Sequence, residues 1–238
     1  MIDLNSKHSL SDQINYFVDS AIDRQTEEPR DYLGASIIGH ICDRHIQYYW
    51  RDLKGYKTQK FPARIKRVFD RGNTYEDKAR QWLKDAGFIF SPNSHGFIDG
   101  EFAGNVDGVI TWWQGNEPCP IKLPVLWECK CLKDKSWKEM AKGGLRNYTS
   151  TTYWAQVHVY MMFLRLESCL FTSVNADTME LHHELIPFNR AEANLYQSRA
   201  HHIIEMTRSN MLVQRHTKDR SHYICKWCDH NGRCWGDE

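Results

Sequence analysis

The chain has 238 residues, 41% of them hydrophobic and 13% aromatic, with nine tryptophans. That composition excludes disordered, collagen-like and coiled-coil classes and suffices for the core of one large domain. Lys and Arg (31) almost balance Asp and Glu (30), so affinity for a polyanion would have to come from local basic density. No run approaches the roughly 18 to 20 apolar residues that span a bilayer, and the opening MIDLNSKHSLSDQ lacks the layout of a signal peptide. A cytoplasmic protein with no membrane partner is expected.

The first helical pattern lies in SLSDQINYFVDSAIDRQ, where Ile14, Phe17, Val18 and Ile22 recur at helical spacing behind a Ser or Asp cap. After the polar connector EEPRDYLGAS, a second helix is expected from Ser36 through SIIGHICDRHIQYYWRDL, carrying Cys42. A third is expected from about Pro62 to Ala86, stopped by Gly87. The period then changes. FIFSPN, GFIDGEFAGNVDGVITWW and LPVLWECKCL are β-branched or aromatic runs punctuated by Gly, Pro and Asn, and they predict three or four strands. Helices follow in SWKEMAKGG and TTYWAQVHVYMMFLRL, then a strand pair in CLFTSVNAD and MELHHELIPF. A long last helix, NRAEANLYQSRAHHIIEMTRSNML, precedes a cysteine-rich tail. This order predicts a mixed α/β or α+β core sheet flanked by helices. It divides a single domain, residues 1–238, into an N-terminal helical part (1–60), a core (61–190) and a C-terminal helix with its tail (191–238).

Within VLWECKCL, Glu128 and Lys130 break the apolar pattern. Alternation puts both on one face, about 6 to 7 Å apart along the strand, with Trp127, Cys129 and Cys131 on the other. Opposite charges in a core must satisfy one another, bind a metal or line a polar cleft, and E-x-K alone is equally a structural ion pair. Upstream, GNVDGVI supplies Asp107, expected on a strand and on the face of Ala103, Asn105 and Val109. If that strand lies beside the first, two carboxylates and a lysine converge, a set suited to a hard cation such as Mg²⁺. Two helical elements could join them. Gly72 and Glu76 are one turn apart in RGNTYEDKARQWLKDAG, and Gln156 and Tyr160 stand at i and i+4 in YWAQVHVYMM.

Taken together, G-x-x-x-E, G-N-V-D-G, E-C-K and Q-x-x-x-Y, in this order from about Ser36 to Tyr160, resemble the PD-(D/E)xK nucleases of the RecB-like exonuclease branch. The resemblance implies a restriction-endonuclease-like mixed sheet flanked by helices and hydrolysis of DNA phosphodiesters with Mg²⁺ or Mn²⁺. It implies Glu76, Asp107, Glu128 and the Cys129 carbonyl as metal ligands. Lys130 would orient or deprotonate the attacking water or stabilise the phosphorane, while Gln156 and Tyr160 would position Lys130 and a DNA phosphate. An exonuclease of 5′-to-3′ direction is favoured, in phage or bacterial recombination or DNA processing. A nuclease of CRISPR spacer adaptation and a non-catalytic DNA-end-binding subunit are the alternatives. No G-x-x-x-x-G-K-[ST] loop is present, so unwinding would need a helicase or recombination partner.

Eight cysteines in a reducing compartment are not expected to be four disulfides. Cys225, Cys228 and Cys234 crowd the tail as C-x2-C-x5-C and Cys42 stands alone near the front, a distribution that points to a metal site. It resembles the iron–sulfur members of the same branch, AddB-type nuclease domains and the CRISPR-adaptation nuclease. That resemblance implies a [4Fe–4S] cluster on Cys42, Cys225, Cys228 and Cys234 joining the N- and C-terminal segments. C-x2-C is equally a zinc spacing, so Zn²⁺ at the same thiolates stays open. Glu76 departs from many iron–sulfur members, which carry His there, and is more like lambda-type exonucleases.

Basic residues concentrate on either side of the motif residues: nine Lys or Arg against four Asp or Glu between Lys57 and Asp85, and five against two between Lys133 and Arg146. Lys133, Lys135 and Lys138, with Trp137 and Tyr148 for stacking, are expected to form a groove for single-stranded DNA or frayed ends. Arg44, in the CDR that follows Ser36, is a candidate for a terminal phosphate, an arginine so placed being equally able to pair with a neighbouring carboxylate, and Ser36 is expected among the DNA contacts. Lys78, Arg80 and Lys84 are expected on a solvated helix face.

Overall fold

The structure, a computed structural model, describes residues 9–25, 30–54, 61–93 and 95–236. Helix α1 (Leu10–Asp23) starts on a reciprocal cap: the Asp12 N–H donates to Ser9 Oγ at 3.1 Å and the Ser9 N–H to the Asp12 carboxylate at 3.0 Å. Two amides left open by a helix start are thereby satisfied.

The second helix is shorter than the sequence predicts. Helix α2 occupies Asp43–Lys54, and Leu33–Gly34 form a strand, β1, whose flanking amides bond to the carbonyls of Glu101 and Ala103 at 2.7 and 3.0 Å. Residues 35–39 turn between them. A Cβ on Gly39 would lie 2.5 Å from the Thr151 carbonyl oxygen, so the bare backbone of this turn packs on the start of helix α5 (Thr151–Leu164). Cys42 therefore precedes α2 instead of riding on it. Helix α3 (Ala63–Asp85) ends as expected, the chain reversing at Gly87 with φ +110°.

Among the described residues five strands, not three or four, lie between Gly87 and Leu132: β2 (Phe88–Phe90), β3 (Gly96–Asp99), β4 (Phe102–Asn105), β5 (Gly108–Trp113) and β6 (Val125–Leu132). They belong to two sheets. β1, β4 and β3 make a small one, and the main sheet has the order β2-β5-β6-β7-β8, completed by β7 (Ser168–Asn175) and β8 (Leu181–Pro187). Its pairings are antiparallel except β6 with β7, which run parallel from Leu126–Cys169 to Leu132–Asn175. A parallel pair needs a crossover, supplied here by helix α4 (Asp134–Gly143) and α5.

Alternation along β6 sends its side chains into two different cores. Val125, Trp127 and Cys129 pack with Ala79 and Leu83 of α3. Leu126 and Leu132 enter a larger core shared with α5 and the long helix α6 (Arg190–Arg208). Glu128 and Lys130 thus lie on the α5 face, with Trp127 and Cys129 turned away from them.

Asp107 is not on a strand. β4 ends at Asn105 and β5 begins at Gly108, so Val106 and Asp107 form the bend by which the chain leaves one sheet and joins the other. The orientation of Asp107 is set by that bend, not by alternation with Ala103 and Asn105.

Beyond α6 the chain returns to α2, where Gln47 bonds to the Met211 carbonyl at 2.7 Å and the Val213 N–H at 3.0 Å. The tail forms two short turns, α7 (Tyr223–Lys226) and α8 (Asn231–Trp235). Arg233 docks it on α2 by pairing with Asp52 at 2.8 Å and lying 3.9 Å over the Tyr48 ring. Among the described residues no helix is long and apolar enough to cross a membrane.

Candidate active site

β5 pairs with β6 only as far as Gly108 opposite Trp127. Past that point Asp107 turns towards the β6 edge, and its Oδ2 accepts the Cys129 N–H at 2.8 Å. The N–H and C=O of one strand residue point to the same edge, so the Cys129 carbonyl shares this opening.

Lys130 Nζ donates to Glu128 Oε1 at 2.5 Å and lies 3.7 Å from Asp107 Oδ2. A carboxylate from the strand and one from the bend therefore share a single ammonium. Glu128 is 0% exposed and the Lys130 side chain 20%. Burial pushes the Glu128 carboxyl up to about 8, with the Asp107 charge adding to the rise and Lys130 opposing it. Burial also works to discharge Lys130, but Glu128 and Asp107 outweigh it and hold the ammonium above its usual range. Glu76, on α3, joins the same field: burial and then Asp107 raise it, against Arg80 and Lys130.

The second oxygen of Glu128, Oε2, is buried without a hydrogen-bond partner. A buried carboxylate oxygen facing no donor is costly, and an all-oxygen set of Glu76, Asp107, Glu128 and the Cys129 carbonyl fits Mg²⁺ or Mn²⁺. Among the described residues no group of three His, Cys, Asp or Glu side chains is placed to hold a metal ion.

Gln156 Nε2 donates to Tyr160 Oη at 3.1 Å, and the two residues are 6% and 2% exposed. The Tyr160 ring packs on Gly104, where a Cβ would lie 2.6 Å from Cε1. So enclosed, Tyr160 offers no surface contact to a DNA phosphate and instead supports β4, the strand that leads into Asp107.

The expected DNA contacts divide. Lys133, Lys135 and Lys138 are exposed around the start of α4, immediately after β6, with Lys138 paired to Asp134 at 2.8 Å. Ser36 is exposed in the turn before α2. Trp137 is not free to stack on bases, because its Nε1 donates to the Ser173 carbonyl at 3.1 Å and its ring packs on the core. Arg44 donates from Nε to the Val213 carbonyl at 2.5 Å and lines the cysteine pocket. Arg80 leaves the solvated face: it bonds to Glu76 at 2.7 Å and lies over the Trp127 ring. Lys57 and Lys60, counted in the first basic segment, lie outside the described residues.

Two neighbours of Lys130 were not anticipated from sequence. The Tyr153 ring centre is 5.6 Å from Nζ, and Tyr153 stands one turn before Gln156 on α5, a spacing that could have flagged it. Ser173 is the register partner of Lys130 on β7, fully buried with an unpartnered Oγ; only the pairing of β6 with β7 identifies it.

In a separate pocket Cys42, Cys225, Cys228 and Cys234 lie together, and none is in a disulfide. Nδ1 of His45 lies 3.5 Å from Cys228 Sγ, and the His45 ring stacks on His40 at 4.0 Å. Thiols are the donor type of soft metals, although as placed here no three of these Cys and His side chains form a group that could hold an ion; the histidines are a second feature of the pocket that spacing gave no sign of.

No protein-family model matches the chain, and no curated protein does. Among solved structures, an alkaline exonuclease (LHK-Exo) from Laribacter hongkongensis is similar with a TM-score of 0.57 at 19% identity, over 76% of this chain and 90% of that one. A structure of LHK-Exo in complex with dAMP is similar with a TM-score of 0.55 at 17% identity, over the same shares. At such identities the likeness is one of fold: a mixed sheet flanked by helices, as in that exonuclease.

Proposed function

We propose that the protein is a divalent-metal-dependent deoxyribonuclease, an exonuclease that works from free DNA ends in the 5′-to-3′ direction. The observation that carries this reading is the convergence of Asp107 and Glu128 on the Lys130 ammonium at the open edge of β6, with one Glu128 oxygen buried and unpartnered. The fold likeness to an alkaline exonuclease supports the same class. Glu76, Asp107, Glu128 and the Cys129 carbonyl would hold Mg²⁺ or Mn²⁺, which when bound supplies Lewis-acid stabilisation of charge at the phosphoryl centre.

The chain's own residues do the rest. Asp107, anchored by the Cys129 amide, and Glu128, enclosed by the core, keep their geometry without reorganising. Lys130, partly exposed between them, would orient the attacking water or offset negative charge on the pentacoordinate phosphorane. Lys133, Lys135 and Lys138 line the approach for a single strand or a frayed end.

The test uses end-labelled single- and double-stranded DNA with Mn²⁺, then with EDTA, alongside Lys130→Ala. Processive shortening from the 5′ end that needs metal and Lys130 is expected. Binding of ends without metal-dependent cleavage would make the protein a DNA-end-binding subunit instead.

We further propose a [4Fe–4S] cluster on Cys42, Cys225, Cys228 and Cys234, supported by the four thiols lining one pocket that joins α2 to the tail. A brown protein with absorbance near 400 nm is expected, whereas a colourless one holding zinc would assign the thiols to Zn²⁺.

A further inference from the structure

Arg80 stands apart from Lys78 and Lys84, the cations nearest to it on α3. Lys78 and Lys84 point into solvent, whereas Arg80 folds back over the sheet. Its Cζ lies 5.0 Å from the Trp127 ring centre and 5.6 Å from that of Phe90, and those two rings meet edge to face at 5.1 Å. From this seat Nη2 donates to Glu76 Oε1 at 2.7 Å. The other terminal nitrogen passes directly over Gly108, where a Cβ would lie 3.3 Å from Nη1 and 2.9 Å from Phe90 Cδ1. Gly108 is the residue after Asp107, so the glycine in D-G makes room for the arginine that holds Glu76 on α3.

A Glu–Arg pair at i and i+4 on a free helix surface leaves both side chains in many rotamers and fixes little. Here the guanidinium is immobilised by two aromatic faces, one from β2 and one from β6, and its planar fork offers a donor of fixed direction. Glu76 is therefore held by an anchor rooted in the sheet that carries Glu128 and Cys129.

We propose that Arg80 is a positioning residue of the metal site: seated on Trp127 and Phe90 over Gly108, it holds Oε1 of Glu76 so that Oε2 is the oxygen presented to the cation. The inference rests on the nuclease reading above. It makes the aromatic pair and Gly108 parts of the metal site at one remove, although none of them can bind an ion.

The test measures Mn²⁺ binding to the DNA-free protein by electron paramagnetic resonance, for wild type, Arg80→Met, Arg80→Lys, Glu76→Gln and the double variant Arg80→Met/Glu76→Gln. Arg80→Met is expected to weaken Mn²⁺ about ten-fold and Arg80→Lys several-fold, because an ammonium keeps the charge but not the fork. In the Glu76→Gln background Arg80→Met should add nothing, and in cleavage assays saturating metal should restore most of kcat. Gly108→Ala, which crowds Arg80 while leaving Glu76 intact, should also weaken Mn²⁺.

Unchanged Mn²⁺ affinity in Arg80→Met with a lowered thermal midpoint would make the arginine a structural staple and overturn the proposal. A raised KM for DNA at unchanged Mn²⁺ affinity would make it a phosphate contact and overturn it too. In either case Asp107→Asn would still abolish metal binding and the nuclease reading would stand. A wild type that neither binds Mn²⁺ nor cleaves DNA would instead remove that reading and this inference with it.

Discussion

Glu128 and Lys130 lie two residues apart on one face of β6 with Oε1 and Nζ 2.5 Å from each other, the acid fully enclosed and the base reaching the opening beside Asp107. Above about pH 8, where Glu128 is ionised, removing the base leaves an acid with no compensating charge, and removing both does not. Lys130→Met should reduce cleavage by roughly 10²- to 10³-fold or more and, at that pH, lower folding stability by about 3 kcal/mol. Glu128→Gln/Lys130→Met should recover much of the stability and none of the activity. Urea unfolding of the three proteins checks this, and a double variant less stable than the single one would contradict the pairing.

The Glu128 carboxyl, raised to about 8 by burial and by Asp107, makes metal and proton competitors. The metal-free folded protein keeps a proton that the unfolded chain has already lost above the ordinary carboxylate range. Its stability should therefore fall as pH rises from that range to about 8. A cation binds the ionised form, so the pH of half-maximal cleavage should move down as Mn²⁺ rises, by up to about one unit per ten-fold metal. Rate profiles at two Mn²⁺ concentrations measure the shift; a midpoint indifferent to metal would separate Glu128 from the ion.

Gly104 has no room for a side chain, because the Tyr160 ring occupies the place its Cβ would take. Gly104→Ala should cost about 1 to 3 kcal/mol through overpacking and reduce cleavage as well, since β4 runs directly into Asp107. Thermal denaturation and a single-turnover assay read the two effects. Stability lost with full activity kept would show that the Asp107 bend holds independently of β4.

Cys42 and the tail cysteines lie far apart in the chain and face one pocket, so a metal bridging them closes a long loop. On the proposed metal site, Cys42→Ala is expected to lower the metal content and the thermal midpoint, as is chelation of the wild type. Metal content and scanning calorimetry test this. A Cys42→Ala protein with its full metal content would show that the tail binds the metal alone.

What was legible in the sequence was the part that local sterics control. The period of two in VLWECKCL put Glu128 and Lys130 together, away from Trp127 and Cys129, because successive strand side chains alternate whatever the strand pairs with. The α3 stop at Gly87 and the run of α5 were readable for the same reason. Whether those acids, that lysine and Glu76 meet was a matter for chain segments distant in sequence. The small sheet takes β1 and β4 and releases the chain through Asp107 into the main sheet, and no local rule marks Asn105 as the last residue of one sheet and Gly108 as the first of another. The parallel register of β6 with β7 brought Ser173 beside Lys130 and gave Trp137 a carbonyl in place of solvent. Arg80 looked like a solvated cation because its partners Trp127 and Phe90 lie on strands that only the folded sheet carries under α3. Residue type and period were thus enough to say which side chains are out of place in a core. Long-range pairing, which ends β5 at Gly108 opposite Trp127 and brings Asp107 to the Cys129 amide, decided where they could act.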